Sequence, residues 1–128
     1  MADDAIPLEV RQFLARYIQS VEQLEILLLV SSNPAKAWTI SEVYSIIRSS
    51  EGSVANRLEG FTSSGFLDAQ PGPPVTYQYQ PSDGELRSAV TRTAELYHSR
   101  RVRMVEAIFN SDLDPVQGFA DAFKIRKP

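Results

Sequence analysis

His98 is the only histidine of the chain, and there is no cysteine. The groups able to trade protons near neutral pH or to bind a soft metal therefore come down to one imidazole. It lies between Tyr97 and Ser99 on a polar stretch, the setting of a solvated helix residue rather than of a general base. Asp112 and Asp114 stand one residue apart, but a calcium loop continues that spacing with further carboxylates, and here it stops short. No glycine-rich loop follows a strand to cradle phosphate, and none of the many serines sits in a Gly-x-Ser-x-Gly turn. These residues argue against an enzyme and against a bound cofactor or metal. What they leave is recognition by polar side chains held on a scaffold, and the scaffold is legible.

Its centre is the stretch 38–80. Thr39 and Glu42 are spaced as a capping box, in which the hydroxyl satisfies an orphan backbone N–H and the carboxylate reaches back. Val43, Ile46 and Ile47 follow as one apolar face of a helix ending near Arg48. Ser49, Ser50 and Gly52 then interrupt the pattern for about the length of a helix-turn-helix corner. Val54, Leu58 and Phe61 recur at helical spacing as a single buried stripe, and Gly65 suits the left-handed position after a helix end. Residues 66–69 read as a strand leading into Gln70-Pro71-Gly72-Pro73-Pro74, which cannot be helical and offers no ladder donors at its prolines. Val75, Tyr77 and Tyr79 alternate with Thr76, Gln78 and Gln80, the signature of a half-buried strand. Strand, helix, turn, helix and hairpin in this order outline a winged helix-turn-helix. The fold class expected is mainly α with a small antiparallel β-hairpin (α+β), with an extra N-terminal helix and a long C-terminal one.

The flanks are helical as well. Pro7 suits a first helical turn, and Val10, Leu14, Tyr17, Val21, Leu24 and Leu28 form a heptad-like stripe. Ser20 and Gln23 are again spaced as a capping box, which favours two helices with a joint at Ser20. Ser31-Ser32-Asn33-Pro34 ends the second of them, and Trp38 anchors a very short strand. After the hairpin, Pro81-Ser82-Asp83-Gly84 turns into one long helix from Glu85 to about Asn110. Its seam of Val90, Ala94, Tyr97, Arg101, Met104 and Ile108 suggests association with a second copy of the chain, or packing on the chain's own N-terminal helix. Val90, Tyr97, Arg101, Met104 and Ile108 are the expected dimer contacts. Asp114 or Pro115 can open a last short helix carrying Phe119 and Phe123, which with Ile125 should dock rather than face water. The organisation expected is thus an arm over 1–20, a winged domain over 21–82, a dimerisation helix over 83–110 and a docking segment over 111–128.

The chain has 128 residues and a net charge of −3, enough for one sizeable core. The N-terminus, Met1-Ala2-Asp3-Asp4, is acidic and unlike a signal peptide, and Glu25 with the apolar run behind it to Val30 is too short to span a bilayer. A cytoplasmic protein is expected. Over 38–82, Arg48 and Arg57 stand against Glu42, Glu51, Glu59 and Asp68, a local charge of −2. That opposes simple attraction to phosphate.

Residues 21–80, followed by a long helix, resemble the winged helix-turn-helix regulators of bacteria, especially the MarR-like and PadR-like groups. The resemblance rests on Thr39-Ile40-Ser41-Glu42 opening one helix and on Ser53-Val54-Ala55-Asn56-Arg57-Leu58-Glu59 followed by Gly65-Phe66-Leu67. It implies a homodimer that binds duplex DNA, the helix over 50–64 in the major groove and the wing near the backbone. It implies Ser50, Ser53, Asn56 and Arg57 as groove residues, Asn56 reading adenine and Arg57 guanine, with Gly60 allowing close approach and Ser63 or Ser64 further along. On the wing it implies Thr76, Tyr77 and Gln78 as contacts to backbone or sugar. The chain departs from the pattern at the wing, because residues 71–80 carry no charge. A winged-helix module that binds a protein partner instead of DNA is the second expectation. A ligand cleft lined by Tyr17, Tyr97 and Met104 is the third.

Overall fold

The computed structural model describes residues 6–113. The expected docking segment, with Phe119, Phe123 and Ile125, lies outside them. Among the described residues, six helices and three strands follow one another: α1 (Leu8–Tyr17), α2 (Val21–Ser32), β1 (Ala37–Thr39), α3 (Ile40–Ile47), α4 (Glu51–Ser63), β2 (Leu67–Gln70), β3 (Thr76–Tyr79), α5 (Gly84–Ser99) and α6 (Arg101–Leu113). The elements group into two units. One holds residues 22–90, and the other holds the described residues before and after them.

In the 22–90 unit, β3 is the middle strand of an antiparallel sheet in the order β1-β3-β2. Trp38 stands opposite Tyr77 on one side, and Leu67 opposite Tyr79 on the other. Alternation turns Tyr77 and Tyr79 inward, with 4% and 7% exposed. Val75, expected to share that face, precedes the strand and is 38% exposed. The capping box forms in full: the Glu42 N–H donates to Thr39 Oγ1 at 3.1 Å, and the Thr39 N–H donates to Glu42 Oε1 at 3.0 Å. That backbone donor, with Lys36 nearby, holds the Glu42 carboxyl below its ordinary value.

Helix α3 spans only eight residues and buries Val43 alone, while Ile46 is 55% exposed. The expected three-residue face narrows because Ile46 lies about 60° off Val43 on the side away from Ile47, given 3.6 residues per turn. Arg48 ends α3 in the left-handed region, at φ 66°. Ser50 then caps α4, its hydroxyl accepting from the Ser53 N–H at 3.1 Å. Val54, Leu58 and Phe61 are almost fully buried, as expected. Each contributes roughly 1.5–3 kcal/mol of apolar burial.

The end of α4 is a Schellman motif. The Gly65 N–H donates to Thr62 O at 3.2 Å, and the Phe66 N–H donates to Phe61 O at 2.9 Å. Phe61 and Phe66 meet edge to face with ring centroids 5.6 Å apart. Gly65 has φ 94°, and a Cβ there would lie 2.8 Å from Ser82 Oγ. Hydrogen bonds from Gln80 N to Phe66 O and from Ser82 N to Gly65 O carry the hairpin down to this corner. The recognition-type helix and the wing are thus joined by one stiff turn.

In the other unit, α1 packs against α6. Val10, Phe13 and Leu14 of α1 and Met104 and Ile108 of α6 are buried. The two-helix reading of the N-terminal region holds, with the joint at 18–20. The single long C-terminal helix is corrected to two, α5 and α6, parted at Arg100. The Ser99 hydroxyl donates to the carbonyls of Glu95 and Leu96, a back-bonding that bends helices. Backbone bonds from Arg100 N to Leu96 O and from Met104 N to Arg100 O run on across the joint.

Candidate nucleic-acid interface

Helix α4 buries one stripe and turns the other outward. Gly52, Asn56, Glu59, Gly60 and Ser63 are exposed along that outer side. Nothing lies within 4 Å of where a Cβ would stand on Gly52 or Gly60. The Asn56 amide stands near the middle of this strip. An amide of this kind offers a donor and an acceptor side by side, the pair that adenine presents in the major groove.

Ser53 and Arg57, expected on the same surface, are only partly exposed and lie at its edge. There they meet Glu22 from the first turn of α2. Ser53 Oγ donates to Glu22 Oε1 at 2.8 Å, Arg57 Nε to the same oxygen at 3.2 Å, and Ser49 Oγ to Oε2 at 2.5 Å. Burial alone would raise the Glu22 carboxyl, but the hydrogen bonds from Ser49, Ser53 and Arg57 and the Arg57 charge outweigh it and leave the group below its ordinary value. Glu22 is the residue that the sequence reading missed. Its one local signal is its position in a first helical turn, and its partners are 27 to 35 residues away.

The remaining expected contacts divide. The Ser50 hydroxyl is spent on the cap. Tyr77 is corrected as a wing contact, because its ring is buried opposite Trp38 and Ala69. Burial and, next, the Glu59 charge raise its phenol above the ordinary value. Gln78 donates to Pro34 O at 3.0 Å, which ties it to the loop before β1, and Thr76 is half-buried. The wing presents an exposed, uncharged tip at residues 71–75.

Of the expected dimer contacts, Val90, Met104 and Ile108 are buried within the single chain, which corrects their assignment to a second copy. Tyr97 is half-buried with the Arg101 guanidinium over its ring, 5.5 Å from the centroid. Among the described residues outside the 22–90 unit, the large apolar side chains left exposed are Leu8 at 60%, Val102 at 70% and Phe109 at 58%. Phe13 packs on Tyr17 with centroids 5.3 Å apart, and Met104 is fully buried, so the expected ligand cleft is corrected at Met104, which no ligand could reach. An open cleft of about 560 Å³ does lie at the α5–α6 joint, among His98, Arg100, Arg101, Arg103 and Glu106.

No protein-family model matches the chain, and no curated protein matches it in sequence. Solved structures do. The chain is similar to the transcriptional regulator Tm0710 from Thermotoga maritima, with a TM-score of 0.52 and 15% identity, over 92% of this chain and 76% of that one. It is similar to the reduced form of MarR from E. coli, with a TM-score of 0.51 and 17% identity, over 88% and 90% of the two chains. The fold is therefore a MarR-like winged helix.

Proposed function

We propose that this protein is a transcriptional regulator that binds duplex DNA as a homodimer, with α4 in the major groove. The observation that carries the reading is the outer strip of α4: small side chains at Gly52, Gly60 and Ser63 around an exposed Asn56. Such a strip lets a helix backbone approach base edges while one amide reads adenine. Glu59 on the same side is an acceptor suited to the cytosine amino group. The likeness to two transcriptional regulators supports the same reading. Leu8, Val102 and Phe109 supply an apolar surface for the second copy, Val102 and Phe109 falling seven residues apart on one side of α6.

Of the four cations in the 22–90 unit, Arg48 is exposed in the turn before α4, and Arg87 lies over the Tyr79 ring. Arg57 is paired, and Lys36 is shared with Glu42 at 3.5 Å. Binding then rests on base contacts more than on counterion release. Enrichment of duplexes from a randomised pool at low salt, followed by titration of the enriched duplex, tests this. Sequence-selective binding with a salt slope of only about −2 to −4 is expected. No enriched sequence at micromolar protein contradicts it.

The exposed, uncharged and proline-rich tip at residues 71–75 favours a second reading, a module that docks a protein partner. Retention of a partner by the native protein, abolished by replacing the tip with a short glycine-serine turn while DNA goes unbound, would support that reading over the first.

A further inference from the structure

We propose that Glu22 is a positioning residue that converts Arg57 into a guanine reader; this rests on α4 reading DNA. The pair engages Arg57 through Nε alone. Its two terminal nitrogens, Nη1 and Nη2, are left for an outside acceptor, and they match the O6 and N7 acceptors of guanine. Glu22 is itself fixed from both oxygens, by Ser49 on Oε2 and by Ser53 on Oε1. The side chains of Arg57 and Glu22 are only 27% and 18% exposed. Three side chains, Glu22 from α2, Ser53 from α4 and Ser49 from the turn before α4, thus hold one guanidinium at the margin of the outer strip.

Two consequences separate this arrangement from a merely structural ion pair. A long, rotamer-rich side chain is ordered before it meets a ligand, so its ordering cost falls on folding rather than on binding. The carboxylate also cancels the guanidinium charge that would otherwise attract any phosphate. Arg57 therefore adds little to indiscriminate binding, and its contribution is to the choice of base pair. Glu22 trades affinity for discrimination.

The test uses the full chain and a labelled duplex enriched from a randomised pool by the wild-type protein, titrated beside the same duplex with each guanine changed to adenine in turn. For wild type, one guanine position carries a penalty of about tenfold or more. In Glu22→Gln and Glu22→Ala that penalty shrinks several-fold, and binding to unrelated duplex tightens. Arg57→Ala added to either variant then changes the penalty no further. A folded Glu22 variant that keeps the full guanine penalty overturns the proposal, as does tighter binding to the enriched duplex with discrimination intact. The Arg57 Nε–H resonance of the wild-type protein gives a reading that needs no variant. Its protection from exchange, present in the free protein, persists in the complex, and its loss on adding the enriched duplex overturns the proposal. Failure to enrich any duplex removes the DNA reading itself, and with it this role. An enriched duplex with an unchanged guanine penalty removes only the role of Glu22.

Discussion

Gly60 shows how a single position separates stability from function. It lies inside α4, where glycine costs about 1 kcal/mol relative to alanine, and a Cβ there would meet nothing. Gly60→Ala is expected to stabilise the protein by roughly 0.5–1 kcal/mol in urea unfolding and to weaken DNA binding, because the methyl group stands on the outer strip. A stabilised variant with unchanged affinity would take Gly60 off the interface. Glu22 gives a pH prediction at the same scale. Its folded-state value lies below its ordinary one, so its contribution is present above about pH 4 and is lost as the pH falls through the lowered value. Glu22→Gln should therefore lower stability at neutral pH and match wild type in acid. A stability difference that does not change with pH would show that the carboxylate charge contributes nothing.

Among the elements, the corner between α4 and the wing carries the sharpest requirement. Gly65 combines a left-handed backbone with a space closed by Ser82. Gly65→Ala is expected to cost about 1–2 kcal/mol or more, whereas Gly52→Ala, in open space, should not destabilise. Equal melting temperatures for Gly65→Ala and wild type would contradict the motif. What was legible in the sequence follows a physical line. The capping box at Thr39 and Glu42, the stripe of Val54, Leu58 and Phe61, and the glycine stop at 65 act within a few residues, and each formed as read. Other features escaped. Ile46 turned outward because a helix of eight residues needs only a narrow apolar face. The long C-terminal helix parted at Arg100, where serine back-bonding competes with a stripe that reads as continuous. Glu22 joined Ser49, Ser53 and Arg57 across the turn of the unit, and no local pattern encodes a contact made only by folding.

At the scale of the whole molecule, a net charge of −3 and an acidic 38–82 stretch mean that the proposed DNA binding would rest on shape and hydrogen bonds rather than on attraction by charge. The proposed second copy of the chain would matter more under those conditions, because two weak half-site contacts combine into one stable complex. Exposed Val102 and Phe109 mark the surface that this copy would cover. Val102→Glu with Phe109→Glu should yield a folded monomer in sedimentation equilibrium, with operator affinity reduced by about a hundredfold. A dimer that survives both substitutions would place the association elsewhere.

The claim on which the rest depends is that the outer strip of α4 meets base edges, and Asn56 is the exposed amide at its centre. Fluorescence anisotropy of the enriched duplex at low salt, titrated with wild type and with Asn56→Ala, addresses it directly. A loss of about tenfold or more in affinity is expected for Asn56→Ala, with melting unchanged because Asn56 is exposed. Indistinguishable titrations for the two proteins would contradict it.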